Sequence, residues 1–272
     1  MIKLVATDMD GTFLNSQNDY DRERFDRVYS QLSQLGIRFM VASGNQYQQI
    51  RSFFPHQDQE MVYASDNGAF IFDRGQLILS SSFQPAVIRR IVDYLLDLPD
   101  VDFLLNGVHA GYMLTSCRPT FKKMMYKYNY AVQELSDFVS LPDDKFGEIS
   151  LFIGDDQRIA QLCDQFNKAF GHDAEAVASG QGAMDIIIPG VNKGFALGHL
   201  LAQWGLTADE LMVFGDSDND EQMMQCTPHS YGMAKCSPLV ARLARHRAPS
   251  NDQSGVLQVL ESLVKNSGEP VD

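Results

Sequence analysis

Residues 2–12 read IKLVATDMDGT, a short apolar run followed at once by two aspartates and a glycine. The apolar part, from Ile2 to Thr7, is short and ends in a turn-rich stretch, which favours a buried β-strand over a helix. The pair Asp8 and Asp10 therefore leaves a strand at its carboxyl end. In open parallel sheets this is the edge at which ligands bind.

The residues that follow alternate between helix and strand patterns. Apolar residues recur at helical spacing from Phe25 to Leu35 and stop at Gly36, and a second apolar strand covers 37–42. A helix is predicted over 46–54 and a third strand over 61–64. This β-α-β-α-β order predicts a parallel sheet with helices on both faces.

The same alternation returns near residue 186. A strand is predicted to end at Ile186-Ile187-Ile188-Pro189, and a helix over 197–204 stops at Gly205. An apolar strand over 211–214, a strand over 230–233 and a helix over 239–244 follow. The two ends of the chain are thus expected to build one sheet.

The middle of the chain has a different pattern. A hairpin is predicted over 70–79, helices from Pro85, over 121–128 and over 159–166, and strands over 101–105, 112–115 and 148–153. This mixture is typical of an α+β unit with an antiparallel sheet. We expect an α/β fold in which residues 1–82 and 185–272 form a Rossmann-like, parallel-sheet core and residues 83–184 form an inserted α+β domain.

Composition excludes several classes of protein. The chain of 272 residues is 44% hydrophobic and carries a formal net charge of −13, which is typical of a globular protein. The acidic charge argues against nucleic acid and against anionic membranes as partners, and no obligate protein partner is evident. The four cysteines are far apart and are expected to be reduced. The N-terminus reaches a charge too early for a signal peptide, so we expect a cytoplasmic protein.

Polar residues follow each predicted strand of the parallel sheet and should converge on one edge of it. They are Asp8 and Asp10, Ser43 and Gly44, Asp66 to Gly68, Lys193, and Asp216 to Asp220. Two unit charges about 4 Å apart repel by roughly 4 kcal/mol at an effective dielectric of 20. A cluster of Asp8, Asp10 and Asp216 therefore predicts a bound cation.

Hard oxygen ligands without a histidine or cysteine cluster indicate Mg²⁺, which commonly also contacts a substrate phosphate. Lys193 and Ser43 offer a charge and a hydroxyl to such a phosphate. One aspartate of the pair Asp8 and Asp10 can attack phosphorus, and the other can protonate the leaving oxygen.

Four motifs in order resemble those of the haloacid dehalogenase superfamily. They are TDMDGT at residues 7–12, VASG at 41–44, Lys193, and GDSDND at 215–220. The inserted domain resembles the cap of the class IIB, Cof-like branch, and the whole chain is similar to bacterial sugar phosphatases of broad specificity.

This resemblance implies a role for each matching residue. Asp8 would be the nucleophile and Asp10 the general acid and base, and Mg²⁺ would be held by Asp8, the Asp10 backbone carbonyl and Asp216. Asp220 would support the metal ligands. The phosphate of a small metabolite, a sugar phosphate above all, would be bound by the Met9 backbone, Ser43, the Gly44 backbone, Lys193 and Asn219.

One departure from the family affects how the substrate is oriented. Many relatives carry arginine after Ser-Gly, whereas this chain has Asn45. Substrate specificity is expected in loops of the inserted domain, such as residues 179–182.

Two alternatives stay open on the sequence. A phosphotransferase or mutase of the same superfamily would pass the phosphoryl group to a sugar instead of water. A non-enzymatic module with a phosphorylatable aspartate is the other, although it needs neither a second aspartate nor a large inserted domain.

Overall fold

A computed structural model of the chain describes residues 1–180 and 182–267. In chain order its strands are β1 (Leu4–Thr7), β2 (Arg38–Ala42), β3 (Val62–Ser65), β4 (Phe70–Asp73), β5 (Gln76–Ser80), β6 (Phe103–Gly107), β7 (Gly111–Leu114), β8 (Val132–Leu135), β9 (Phe146–Phe152), β10 (Glu175–Gly180), β11 (Ala183–Ile187), β12 (Leu211–Gly215), β13 (His229–Gly232) and β14 (His246–Arg247). Its α-helices are α1 (Arg22–Gln34), α2 (Tyr47–Ser52), α3 (Pro85–Leu96), α4 (Pro119–Tyr128), α5 (Asp156–Phe170), α6 (Lys193–Trp204), α7 (Glu221–Gln225), α8 (Pro238–Leu243) and α9 (Gly255–Ser267).

The first sheet of the described chain has eight strands in the order β14-β13-β12-β1-β2-β3-β4-β5. Neighbours from β14 to β3 pair in parallel, and the hairpin β4–β5 adds two antiparallel strands at one edge. Strand β1 is central, so its residues are buried on both faces. The predicted parallel sheet and hairpin are confirmed.

Helices cover both faces of this sheet, as predicted. On β1, Leu4 and Ala6 pack into a hydrophobic cluster with α6, α7 and α8. Val5, which points to the opposite face, packs into a second cluster with α1, α2 and α9. This alternation follows from the two-residue period of a strand. The α/β fold class is confirmed.

The second sheet has six strands in the order β10-β11-β9-β6-β7-β8, antiparallel except for the pair β7–β8. Helices α3 and α5 bury apolar stripes against it. This α+β unit is called the cap below.

One strand was predicted in the wrong sheet. The residues Ile186-Ile187-Ile188 were assigned to the parallel sheet, but β11 pairs antiparallel with β9 and β10 in the cap. An apolar run indicates burial and does not identify the partner strand. The domain boundaries stay a prediction.

In the described residues no helix has the length and apolar character needed to cross a membrane.

Candidate active site

The polar residues that follow the parallel strands meet at one edge of the sheet, and hydrogen bonds join them. The contacts are Lys193 with Asp8 and Asp220, Thr12 with Asp216, Asn45 with Asp10, and Asn219 with Asn67. The segments after β1, β2, β3 and β12 and the start of α6 therefore form a single polar site.

Lys193 is the first residue of α6, and its side chain is fully buried between two carboxylates. Its Nζ donates to Oδ1 of Asp8 at 2.6 Å and to Oδ1 of Asp220 at 2.7 Å. Burial by itself lowers the pKa of Lys193, but the two carboxylates outweigh it and raise that pKa above its ordinary value. The lysine is therefore a fixed cation beneath the site.

Local structure determines where Lys193 lies. The side chain of Asn192 caps α6 by accepting a hydrogen bond from Phe195 N at 2.9 Å. The turn after β3 approaches this point so closely that a Cβ on Gly68 would lie 2.5 Å from the carbonyl oxygen of Asn192. The end of β3 and the start of α6 are thus held against each other.

Asp220 is fully buried, and both of its carboxylate oxygens have donors. Oδ1 accepts from Lys193, and Oδ2 accepts from the backbone N–H groups of Asp216 at 2.8 Å and Ser217 at 3.1 Å. These bonds fix the backbone that carries Asp216. The geometry suits a supporting role for Asp220.

Carboxylate oxygens of Asp8, Asp216 and Asp220 lie within 4.8 Å of one another, a spacing that a metal ion could bridge. Burial raises the pKa values of Asp8 and Asp216, and repulsion among the carboxylates raises them further. Bound positive charge would relieve this repulsion. Among these three, Asp8 and Asp216 are the better candidate ligands, because Asp220 already accepts three hydrogen bonds.

The TDMDGT turn is shaped around Asp216. Thr12 Oγ1 donates to Oδ1 of Asp216 at 2.8 Å, and Ser217 Oγ donates to Oδ2 at 3.1 Å. Gly11 has a φ of +82°, and a Cβ there would lie 2.6 Å from Oδ2 of Asp216. Glycine is thus required both by the backbone conformation and by the close approach of the carboxylate. The roles of Thr12 and Ser217 were not predicted.

Asp10 is exposed, unlike Asp8, and its side chain has a partner that was missed. Asn45 Nδ2 donates to Oδ2 of Asp10 at 2.7 Å. From the sequence, Asn45 was expected only to remove the cation that many relatives have at this position. In the structure its amide orients the carboxylate of Asp10. Asp10 and Asn45 follow two neighbouring parallel strands, and that shared edge was the available signal.

The predicted phosphate-binding residues surround the same edge. Ser43 is 2% exposed and its Oγ accepts from Asn45 N at 3.0 Å. A Cβ on Gly44 would lie 3.2 Å from Nδ2 of Asn67, and Asn219 Nδ2 donates to Oδ1 of Asn67 at 3.2 Å. Met9 is fully buried and its side chain packs into the hydrophobic core, which leaves only its backbone as a possible phosphate ligand.

Two core side chains next to this edge bond the cap, in addition to Gln48 and Gln49 of α2, which donate to cap carbonyls. Gln46, which is 2% exposed, donates to the carbonyl of Ala131 at 3.0 Å and accepts from its N–H at 2.9 Å. Asn67 Nδ2 donates to Oε2 of Glu148, on β9, at 2.8 Å. The predicted specificity loop, residues 179–182, includes Gln181, which lies outside the described residues. Ser179 and Gly180 end β10, and Gly182 directly precedes β11.

Comparison with known proteins identifies the family. The family model described as "haloacid dehalogenase-like hydrolase" matches residues 5–260. The chain belongs to the haloacid dehalogenase-like hydrolases. The match includes both predicted halves of the core and the cap between them, and it confirms the resemblance seen in the four motifs.

Curated relatives of this haloacid dehalogenase-like hydrolase are named as phosphatases. The 5-amino-6-(5-phospho-D-ribitylamino)uracil phosphatase YbjI of Escherichia coli K12 is 36% identical over 265 residues, which cover 97% of each chain. An HMP-PP phosphatase of Citrobacter koseri is 26% identical over 245 residues, covering 89% of this chain and 88% of its own. The chain is thus a phosphatase of this superfamily.

Solved structures of other family members have the same fold. SMU.1108c from Streptococcus mutans UA159 superposes with a TM-score of 0.90 at 35% identity, covering 97% of this chain and 100% of its own. A haloacid dehalogenase-like hydrolase from B. subtilis superposes with a TM-score of 0.84 at 20% identity, covering 96% and 100%. At that lower identity the likeness concerns the fold alone.

Proposed function

We propose that this haloacid dehalogenase-like phosphatase is a Mg²⁺-dependent enzyme that hydrolyses phosphate monoesters of small metabolites, sugar phosphates above all, through an aspartyl-phosphate on Asp8. One observation carries the proposal. The Asp8 carboxylate, at the end of the central strand β1, is paired with the buried Lys193 and lies beside Asp216.

In the first half of the proposed reaction, the Asp8 carboxylate attacks phosphorus and the bond from phosphorus to the leaving oxygen breaks. Protonated Asp10 donates its proton to that oxygen, so the product leaves as an alcohol. The hydrogen bond from Asn45 holds Asp10 on the solvent side of the site, where a leaving group would depart.

In the second half, water attacks the phosphorus of the aspartyl-phosphate and Asp10 accepts a proton from that water. The bond between phosphorus and Asp8 breaks, which regenerates the carboxylate and releases inorganic phosphate. Asp10 is again protonated, so protons balance over the cycle.

Asp8, Asp216 and the backbone carbonyl of Asp10 would hold Mg²⁺, with Asp220 in support. When bound, the ion would neutralise charge on the phosphoryl group and on the carboxylates. The Met9 and Gly44 backbones, Ser43, Lys193 and Asn219 would bind the phosphate. All of these lie on the edge of the sheet described above.

Two observations support a small, hydroxyl-bearing substrate. A net charge of −13 disfavours polyanionic partners such as nucleic acid. The Escherichia coli relative is named for a substrate with a phosphorylated ribityl chain, which is a polyol phosphate. The cap would cover such a substrate and exclude bulk water.

The cytoplasm is the compartment we propose. All four cysteines are free thiols, which suits a reducing environment.

The test is phosphate release from a panel of pentose, hexose, polyol and nucleoside monophosphates, with and without an added acceptor sugar. We expect release of inorganic phosphate with a preference for sugar or polyol phosphates. Transfer of the phosphoryl group to the acceptor, without release to water, would favour the phosphotransferase alternative. A stable phospho-Asp8 without turnover would favour a non-enzymatic module.

A further inference from the structure

A group of buried and half-buried polar side chains lies where the cap meets the core, next to the candidate active site. We call it the junction cluster, and it consists of Asn67 of the core and Asn106, Glu148, Ser150 and Asp185 of the cap. The proposed reaction uses none of these residues.

The junction cluster is connected to the proposed phosphate site. Asn67 accepts a hydrogen bond from Asn219 and donates one to Glu148, so a single side chain touches both. The Asn67 amide also lies against Gly44. The part of a substrate next to a phosphate bound at Gly44 and Asn219 would therefore face Glu148 and Asn106.

Hydrogen-bond acceptors outnumber donors in the junction cluster. Asn106 is 3% exposed, and its Oδ1 has no donor among the described residues. Oε1 of Glu148 has long contacts with Asn106 Nδ2 and Ser150 Oγ, both at 3.4 Å. The short bond of Asn106 Nδ2 is to Ser150 Oγ, at 2.8 Å. Buried acceptors without protein donors are rare in folded proteins, so Asn106 Oδ1 is open to a donor from water or from a bound hydroxyl group.

The charge of the junction cluster selects among possible ligands. Burial raises the pKa of Glu148 well above its ordinary value, and the neighbouring Asp185 and Asp66 carboxylates raise it further. None of the five side chains of the junction cluster is a cation, so a second phosphate or a carboxylate on the substrate would find no positive partner there to offset its loss of hydration. Neutral hydroxyl groups supply donors without adding charge.

We propose that Asn106 and Glu148, with Asn67, form a subsite for the polyol part of the substrate. This subsite binds the uncharged hydroxyl groups of a chain whose end carries the phosphate. The inference rests on the proposed function, because it uses the same phosphate site. It assigns the choice of substrate to β6 and β9 of the cap.

The experiment compares two monoesters that share a five-carbon chain, ribitol 5-phosphate and n-pentyl phosphate, which lacks the hydroxyl groups. The measured quantity is the ratio of their kcat/KM values. We expect Asn106→Ala and Glu148→Gln each to lower this ratio about tenfold, mainly by raising KM for ribitol 5-phosphate. A site that binds hydroxyl groups loses its preference for them when its hydrogen-bonding side chains are removed.

The matched control is Asn167→Ala, whose side chain bonds the backbone of Ala176 within the cap. Its ratio should stay within roughly twofold of the starting protein. An unchanged ratio in both Asn106→Ala and Glu148→Gln would overturn the subsite. Circular dichroism checks that each variant is folded. If one of them is not, the other still tests the proposal.

The affinities of the two compounds, measured by calorimetry, distinguish failure of the subsite from failure of the proposed function. Without any turnover, binding of ribitol 5-phosphate that Asn106→Ala weakens about tenfold would still support the subsite. Binding that does not distinguish the two compounds would refute it.

Discussion

The ammonium nitrogen of Lys193 lies 2.6 Å from Oδ1 of Asp8, with the lysine side chain fully buried and the aspartate side chain 8% exposed. The same nitrogen lies 2.7 Å from Asp220, which belongs to the turn after β12. One buried cation therefore joins the ends of two neighbouring parallel strands. Fold stability and the candidate chemistry depend on the same contact.

Removing this cation should destabilise the protein. Lys193→Met leaves two buried carboxylates without their partner, and we expect the free energy of unfolding to fall by about 3 kcal/mol. Urea denaturation without added metal measures it. Lys168→Met, at an exposed position of α5, is the control and should change stability little. A loss below about 1 kcal/mol in Lys193→Met would show that the ion pairs do not stabilise the fold.

The metal dependence of activity should report the supporting role of Asp220. Asp220→Asn places an amide where donors already point, and this should disturb the backbone under Asp216. We expect the Mg²⁺ concentration for half-maximal activity to rise about 10- to 100-fold. Asp218→Asn, at an exposed neighbouring position, is the control. Equal metal dependence in the two variants would contradict this role.

Gly11→Ala should damage the site more than its backbone conformation alone explains. Gly11 and Gly36 both have positive φ, so alanine at either position costs about 1 kcal/mol of stability. A Cβ at Gly36 meets nothing within 4 Å, whereas one at Gly11 lies 2.6 Å from Asp216. We expect at least about a tenfold loss of kcat/KM in Gly11→Ala alone. Similar activity in both variants would argue against close packing on Asp216.

The Gln46 amide should hold the cap against the core. Gln46→Ala leaves the N–H of Ala131 without its partner, while the carbonyl keeps its hydrogen bond from Gly111 N. We expect the amide of Ala131 to exchange with solvent about tenfold faster, and KM for the substrate to rise several-fold. Hydrogen exchange with mass spectrometry measures the first effect. Gln34→Ala, at an exposed position of α1, should leave the exchange at Ala131 unchanged.

Much of the parallel sheet could be predicted because its strands are marked by short apolar runs and by the polar residues directly after them. Central strands are apolar on both faces, and the polar residues after them converge wherever parallel strands share an edge. Lys193, Asp8 and Asp216 were therefore expected to lie close together before any coordinates.

The missed features depend on partners distant in sequence. Strand β8 has polar, exposed residues at its centre, so its pattern of burial is weak. The apolar run at Ile186 gave no information on which sheet it joins. The contact of Asn45 with Asp10 likewise requires the ends of two strands to be in place. The sequence did carry a signal for Glu148. On β9, polar Glu148 and Ser150 share one face of the strand and apolar Ile149 and Leu151 share the other.

The central claim is that Asp8 performs metal-dependent phosphate transfer. Its most direct test is phosphate release from ribitol 5-phosphate and ribose 5-phosphate by the starting protein and by Asp8→Asn, with Mg²⁺ and with a chelator. The account predicts release that needs Mg²⁺ and that falls at least about 1000-fold in Asp8→Asn, with the fold intact by circular dichroism. Release that persists in the variant, or that the chelator leaves unchanged, would contradict it.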